Sequence, residues 1–277
     1  MGRNFNDVVL PCAMGILNVT PDSFSDGGKF FDGDCENSCT KLKAEARLNE
    51  IISEGASVVD IGGESTKPDA QSINAKDEWR RISHIVKIAT KSDKVAVSVD
   101  TYHLETAQLA LESGVNIVND VCGTWHFEEM VKLLKNFDSH LIVTHNCRND
   151  ESFAGIFDPV AAIISEFEKI FLTAKAMKFD FSRIILDPGI GFGKTAQQNS
   201  EIFKRIGEIC ETFPNPVVCA TSMKSFLQQV VGNSRAKLSA ATIATTVEGF
   251  RRGCKIFRVH EILENLAALK FAEHTNG

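Results

Sequence analysis

The chain has 277 residues, of which 43% are hydrophobic and 24% are charged, and its formal net charge is −6. This length suits one large domain over residues 1–277 with an ample buried core. The acidic balance, without a run of Lys and Arg among aromatics, argues against a nucleic-acid partner. The first residues, with Asp7 before an apolar run that Pro11 interrupts, fit neither a signal peptide nor a membrane span.

Eight cysteines are scattered through apolar or helical contexts. A chain of this size has no need of disulfides, so we expect reduced thiols and a cytoplasmic location. Cys35 and Cys39 are the most closely spaced, but no second Cys or His pair accompanies them. A zinc site is therefore disfavoured against two half-buried helix residues.

Short runs rich in Val, Ile and Leu recur along the chain, each followed by a polar cluster and a longer amphipathic stretch. This pattern predicts strand, loop and helix in repetition. The predicted strands are 13–17, 57–61, 95–99, 115–118, 140–144, 183–186, 216–219 and 255–259. Several predicted helices end at a glycine suited to a C-cap, namely Gly55, Gly114 and Gly253. Eight such repeats predict a single (β/α)8 TIM barrel, with an open doubly wound parallel sheet as the alternative.

Polar residues stand at or just after the end of every predicted strand. The connections from helix to strand, such as "SEGAS" and "KSDK", hold only turn residues. The strand-end residues are Asn18, Asp60, Asp100, Asn119, Asp120, His145, Asp187, Ser222, Lys224, Arg258 and His260. Because the active site of a (β/α)8 barrel is built from the loops that follow the strands, we expect function on this rim.

Two of these loops have the composition of mobile covers over a substrate, "NVTPDSFSDGG" after strand 1 and "GGESTKPDA" after strand 2. Lys67 in the second loop is placed to reach an anion. Asn18, at the root of the first, offers an amide oxygen to Mg²⁺, which takes few protein ligands when a phosphate supplies the rest. A purely structural Asn18 is the alternative.

The stretch "DPGIGFGKT", residues 187–195, ends like a phosphate-binding loop, but Pro188 stands where that motif needs glycine. We interpret it instead as a tight turn that lets Asp187 project from its strand and Phe192 form an aromatic wall. The competing interpretation is that Asp187 only caps the next helix.

Strand-end acceptors and donors of this kind suit a polar heterocycle, and Asp100, Asn119, Asp187 and Lys224 make a convergent set. In "FRVHE", residues two apart share a side of the strand, so Arg258 and His260 are expected on one face. Such a pair suits a phosphate group. Buried structural Asp and Asn residues, a surface arginine and a core histidine are the alternatives.

Seven segments in this order make the chain resemble the dihydropteroate synthases, pterin-binding TIM-barrel enzymes of the folate pathway, over essentially its whole length. They are "GILNVTPDSFSDGG", "VVDIGGESTKPDA", "VSVDTY", "IVNDV", "DPGIGFGKT", "SMKSF" and "RVHE". The resemblance implies a transferase and sulfonamide target that joins dihydropterin pyrophosphate to p-aminobenzoate, releasing pyrophosphate and forming dihydropteroate. It also implies a dissociative route through a pterin cation, and a homodimer formed through the final helices.

The resemblance further implies roles for particular residues. The pterin would be held by Asp100, Asn119, Asp187 and Lys224. Pyrophosphate would be bound by Asn18, Arg258 and His260, with Mg²⁺ bridging Asn18 to the leaving group. The p-aminobenzoate site would be lined by Thr66, Pro68, Phe24, Phe192 and Ser222. The catalytic residues expected on this basis are Asp100, Asp187, Lys224, Arg258 and His260.

The chain departs from the family where Lys67 and Met223 replace residues that are usually Arg. Lys for Arg keeps the charge but loses the planar fork, and Met for Arg removes the charge. In an extended "SMK" segment, Ser222 and Lys224 would face the pocket while Met223 points elsewhere or packs against apolar residues. A corrinoid-dependent methyltransferase-like barrel and a non-catalytic pterin-binding homologue are the alternative functions.

Overall fold

The computed structural model describes residues 2–20, 38–65, 71–148 and 150–276. Within these ranges lie eight parallel strands and ten α-helices. The strands are β1 Cys12–Asn18, β2 Val58–Gly62, β3 Ala96–Asp100, β4 Ile117–Asp120, β5 His140–Thr144, β6 Ile184–Asp187, β7 Val218–Cys219 and β8 Ile256–Val259. The helices are α1 Ser38–Ser53, α2 Ala75–Ala89, α3 Leu104–Glu112, α4 Phe127–Leu134, α5 Pro159–Ala176, α6 Ala196–Lys204, α7 Ile206–Thr212, α8 Ser225–Val231, α9 Arg235–Arg251 and α10 Ile262–Asn276.

The sheet closes on itself. Its strand order is β6-β5-β4-β3-β2-β1-β8-β7, and every neighbouring pair is parallel. A bridge between Leu186 and Val217 joins the two remaining edges, and Leu186 N donates to Pro216 O at 2.9 Å. The predicted (β/α)8 barrel is thus confirmed, and the open doubly wound sheet is excluded.

The helix boundaries follow from caps that the sequence provides. Gly55, Gly114 and Gly253 adopt φ values of +94°, +90° and +98° just past α1, α3 and α9, a region that favours glycine. α5 begins at Pro159, and the Asp158 carboxylate accepts from Val160 N and Ala161 N, both at 3.0 Å. Among the described helices, none is long and apolar enough to cross a membrane.

The strands alternate sides, which divides the buried residues into two cores. Outward-facing residues such as Val59, Ile61 and Phe257 pack in the larger core with residues of the surrounding helices. Inward-facing residues near the strand starts form a smaller core inside the barrel, which Phe5 joins from the N-terminal segment. This smaller core comprises Phe5, Cys12, Met14, Val58, Ala96, Ile117, Ile142, Ile185, Val218, Ala220 and Ile256. Toward the carboxyl ends of the strands, this core ends where the inward-facing residues become polar.

Candidate active site

The barrel's register gathers the strand-end residues at one mouth. Asn18 on β1 pairs with Gly62 on β2, Gly62 with Asp100 on β3, and Asp100 with Asn119 on β4. A Cβ atom on Gly62 would lie 3.1 Å from the Asn18 Oδ1 atom and 3.6 Å from the Asp100 Cβ atom. The glycine therefore leaves space between an amide oxygen and a carboxylate.

Arg258 is the centre of a buried ionic network. Its Nε donates to Asp60 Oδ2 at 2.6 Å, and its Nη2 donates to Asp100 Oδ2 at 2.8 Å. Asn119 Nδ2 donates to the same Asp60 oxygen at 3.0 Å. Charge-assisted bonds of this kind are short and directional, so the network fixes where four side chains stand. Removing one partner would leave buried charge uncompensated.

Asp60 belongs to this site, although the sequence pattern predicted no role for it beyond its place near a strand end. It is fully buried, and its Oδ1 atom has no hydrogen-bond partner among the described residues. The signal for it was present in "VVDIGG", where an aspartate alternates with Val58 and Gly62 on one side of a buried strand. A buried carboxylate at such a position requires partners that only distant strands can supply.

Burial raises the pKa of the Asp100 carboxyl to about 7, although the Arg258 guanidinium opposes the shift. Asp120 also has its pKa raised to about 7, again by burial. Its Oδ1 accepts from Cys122 N at 2.9 Å, and the alternation of β4 turns it away from inward-facing Asn119. Asp100 is thus a carboxyl at the mouth whose pKa lies near neutral pH.

Asp187 ends β6 and its Oδ1 accepts from Gly189 N at 2.7 Å. Gly189 has a φ of +69°, and a Cβ there would lie 1.9 Å from His145 O, so only glycine fits this turn. Lys194 donates to His145 O at 2.7 Å, Gly189 O at 2.9 Å and Phe192 O at 3.3 Å. Because its ammonium is committed to backbone carbonyls, Lys194 holds the loop together and does not act as a phosphate-loop lysine.

Lys224 and Phe192 lie together at the mouth. The Lys224 ammonium donates to Ile190 O and sits 4.7 Å from the centroid of the Phe192 ring. Burial lowers the pKa of Lys224 to about 8, opposed by the carboxylate of Asp187. Phe192 is itself buried. The aromatic wall is therefore paired with a cation that titrates near neutral pH.

Ser222 and His260, to which the family resemblance assigns different substrates, are in contact. The Ser222 hydroxyl oxygen lies 2.8 Å from His260 Nδ1 and also accepts from His260 N at 3.3 Å. Met223 beside them has a φ of +58° and packs partly buried against the outer core. The expected extended "SMK" segment is therefore wrong, because β7 ends at Cys219 and residues 222–223 form a turn. The apolar packing of Met223 is confirmed.

His145 departs from the expectation that strand-end polar residues face the mouth. It is buried with its ring 5.1 Å from Phe153, and burial lowers its pKa to about 3. The alternation along β5 explains this, since Thr144 faces inward and the next residue faces outward. His145 is therefore a packing residue.

Other expected site residues lie outside the described residues, namely Phe24, Thr66, Lys67 and Pro68. Cys35 does as well, so its predicted helical placement has no structural account. Within the part of the chain that the structure describes, no group of three His, Cys, Asp or Glu residues is arranged to hold a metal. Asn18 remains the metal ligand expected from the sequence.

Fold and site together define a class of protein: a (β/α)8 barrel enzyme with a polar, charge-bearing pocket at the carboxyl ends of its strands. Residues 14–260 match the family described as pterin binding enzyme. The dihydropteroate synthase of Streptococcus pyogenes serotype M3 is 36% identical over 254 residues, covering 91% of each chain.

Two solved structures resemble this chain in both fold and sequence. Dihydropteroate synthase of Clostridium difficile, in the presence of pteroic acid, has a TM-score of 0.84 and 33% identity, covering 96% of this chain and 97% of that one. The Xanthomonas albilineans enzyme with 4-aminobenzoic acid has a TM-score of 0.85 and 28% identity, with coverages of 96% and 93%. The chain belongs to the pterin-binding enzyme family, and its relatives place it among the dihydropteroate synthases.

Proposed function

We propose that this protein condenses 6-hydroxymethyl-7,8-dihydropterin pyrophosphate with p-aminobenzoate, forming 7,8-dihydropteroate and pyrophosphate for folate biosynthesis. The observation that carries the proposal is the buried network in which Arg258 pairs with Asp60 and Asp100 inside the barrel. A buried ionic cluster of this kind is costly for stability and is retained where a polar ligand needs it. The relatives named above are dihydropteroate synthases, and two of their structures were solved with pteroic acid or 4-aminobenzoic acid.

The pocket interior suits a pterin, which presents donors and acceptors along flat edges. Three fully buried oxygens facing into the barrel have no partner among the described residues: Asp60 Oδ1, Ser98 Oγ and Thr144 Oγ1. Buried polar atoms are almost always paired, with protein, water or ligand. Asn119, which pairs with Asp100 on β3, and Asp187, which pairs with Thr144 on β5, also face the barrel interior and extend this set of acceptors and donors.

The leaving-group end carries the cations. We assign pyrophosphate to Arg258 and His260, which are two residues apart on the inward side of β8 and its end. The exocyclic C–O bond breaks and its electron pair leaves with pyrophosphate. The amine nitrogen then forms the C–N bond and loses a proton to solvent or to the leaving group. Ionised Asp100 stabilises the intervening pterin cation, and positive side chains stabilise the departing polyanion.

We propose that Mg²⁺ assists at Asn18. The donor set fits, because this amide oxygen faces the space that Gly62 leaves open, and Mg²⁺ bound to a phosphate takes few protein ligands. When bound, the ion would neutralise charge on the pyrophosphate. Asn18 would hold and orient the ion. The pterin is bound by the residues deeper in the barrel.

Growth complementation tests the function. The chain is expressed in a strain that lacks dihydropteroate synthase, beside an Arg258→Met variant of equal abundance. We expect the natural sequence to restore growth without added folate and the variant to fail. Bound pterin without growth would indicate a non-catalytic homologue, and binding of methyl-tetrahydrofolate without p-aminobenzoate would indicate a methyltransferase-like barrel. Inhibition of the restored growth by a sulfonamide is expected as well.

We also propose a cytoplasmic homodimer that pairs through the last helices. Leu263 and Phe271 on α10 are 58% and 69% exposed, and apolar exposure of this extent marks contact surfaces. Free thiols at all six described cysteines support a reducing compartment. Light scattering on the purified protein would give twice the chain mass, and Phe271→Glu would give the monomer mass.

A further inference from the structure

Three cysteines from different parts of the chain meet outside the pocket. Cys210 lies on α7, Cys219 ends β7, and Cys254 stands two residues before β8. The side chain of Cys254 is hydrogen-bonded to both other thiols. Cys219 and Cys254 are buried, whereas Cys210 is only partly buried. One member of this cluster is therefore accessible to small molecules.

The end of α9 brings the three thiols together. A Cβ placed on Gly253 would lie 3.0 Å from the Cβ and 3.6 Å from the Sγ of Cys210. The next residue, Cys254, donates its backbone N–H to Gly249 O at 3.0 Å. A Cβ on Gly249 would in turn lie 3.0 Å from the Sγ of Cys219. The backbone turn thus fixes Cys254 between an accessible thiol and a buried one, and glycine lets both neighbours approach it.

Cys210 and Cys254 lie away from the barrel mouth. Cys254 precedes Ile256, the first residue of β8, whereas Arg258 stands near the carboxyl end of the same strand. The pocket is built at the carboxyl ends of the strands. A reagent can therefore reach Cys210 without entering the pocket.

The surroundings of Cys210 favour its thiolate. Hydrogen bonding from the Cys254 thiol lowers the pKa of Cys210; burial opposes this shift, and the Lys255 ammonium supports it. Cys122 is also half-buried, but there burial raises the pKa to about 11. Because the thiolate is the nucleophile, Cys210 is the more reactive of these two thiols.

We propose that Cys210 is a site of oxidation by hydroperoxides, and that Cys254 converts the oxidised residue to a disulfide. The Cys210 thiolate attacks a peroxide oxygen, so that an S–O bond forms, the O–O bond breaks, and the leaving hydroxide or alkoxide takes a proton. The Cys254 sulfur then attacks the Cys210 sulfur. The S–S bond forms, the S–O bond breaks, and the hydroxide leaves as water with the Cys254 proton. Two thiols lose two electrons, which the hydroperoxide gains, and a dithiol reductant restores them.

Site-resolved mass spectrometry of the full-length protein tests this chemistry. Reduced protein is treated with hydrogen peroxide, the remaining thiols are blocked with N-ethylmaleimide, and the chain is cut with trypsin. We expect the peptide of residues 253–255 linked to that of residues 206–224, with fragmentation placing the link at Cys210 and not at Cys219. Dithiothreitol should remove the link. Cys210 should be consumed about tenfold faster than Cys122, because more of it is thiolate.

Variants separate the roles of the two thiols. Cys254→Ala should leave Cys210 as a sulfenic acid that dimedone traps, and Cys210→Ala should leave Cys254 unmodified. Cys122→Ala is the matched control and should leave the link unchanged. Saturating 6-hydroxymethylpterin should not slow the reaction, so the result does not depend on the condensation activity.

Two kinds of result would overturn the proposal. Cys210 left unmodified under conditions that oxidise Cys122 would refute the site. A link from Cys210 to Cys219, or sulfonic acid at Cys210 without a disulfide, would refute the role of Cys254. Each of these outcomes is measured on the natural protein, so the proposal can fail whether or not the variants fold.

Discussion

The two halves of the barrel interior contrast along the same strands. Ile256 and Arg258 are two residues apart on β8 and face the same interior, yet the first lies in the apolar inner core and the second in the ionic network. Asp60 and Val58 repeat the contrast on β2. The half near the strand starts stabilises the fold through burial of apolar side chains. The half near the carboxyl ends of the strands lowers stability, because it buries polar atoms that lack partners among the described residues.

Replacing Arg258 should give the largest effect. Arg258→Met removes the leaving-group cation and the partner of two buried carboxylates, so we expect kcat/KM to fall about 10³-fold. Unfolding free energy should fall by about 3 kcal/mol at pH 8. At pH 5.5 that loss should be smaller, because the Asp100 carboxyl, whose pKa is raised to about 7, protonates in the folded state and then needs no cation. Chemical denaturation at both pH values, beside steady-state assays, checks this.

Ile256→Ala should lower stability and leave catalytic activity almost unchanged. Ile256 is 1% exposed, and truncating a buried Ile costs about 2–5 kcal/mol. We expect kcat/KM per folded molecule to stay within about twofold, because the side chain touches the inner core and not the pocket. The stability loss should not change between pH 5.5 and pH 8. A tenfold loss of kcat/KM here would break the division between the halves.

The pH profile sharpens the contrast further. Activity needs ionised Asp100, whose pKa is raised to about 7, and protonated Lys224, whose pKa is lowered to about 8. The profile of kcat/KM should therefore be a narrow bell with its maximum between these values, falling about tenfold per pH unit on either side. Lys224→Arg should move the basic limb upward and leave the acidic limb in place. A flat profile from pH 6 to 9 would contradict the roles of both groups.

Met223→Arg should have the smallest effect. The side chain leaves a turn at φ +58°, and an arginine keeps the same backbone conformation while its stem can cover the same apolar surface. We expect kcat/KM to change less than about threefold and growth in the complementation strain to be at least as good. A clear loss would show that the uncharged residue belongs to a co-adapted site.

Local pattern predicted most of the fold. β5 lies at the predicted residues 140–144, and the glycine caps at Gly55, Gly114 and Gly253 stand where the sequence placed them. These features depend on periodicity and backbone conformation, which neighbours in sequence determine.

The contacts of the site depend on distant residues and were harder to predict. Asp60 meets Arg258 across 198 residues of sequence, and Ser222 meets His260 across 38. The turn at Met223 and the outward side of His145 depend on where a strand stops, the least reliable boundary in a sequence-based prediction. Residue types at strand ends identified the rim, but not the partners within it.

The central claim is that the polar half of the barrel joins two substrates. The most direct test is to incubate purified protein, Mg²⁺, dihydropterin pyrophosphate and p-aminobenzoate, and to quantify pyrophosphate and dihydropteroate in the same samples. We predict equal amounts of both products, and neither when p-aminobenzoate is omitted. Pyrophosphate released without dihydropteroate, or no release with both substrates present, would contradict the account.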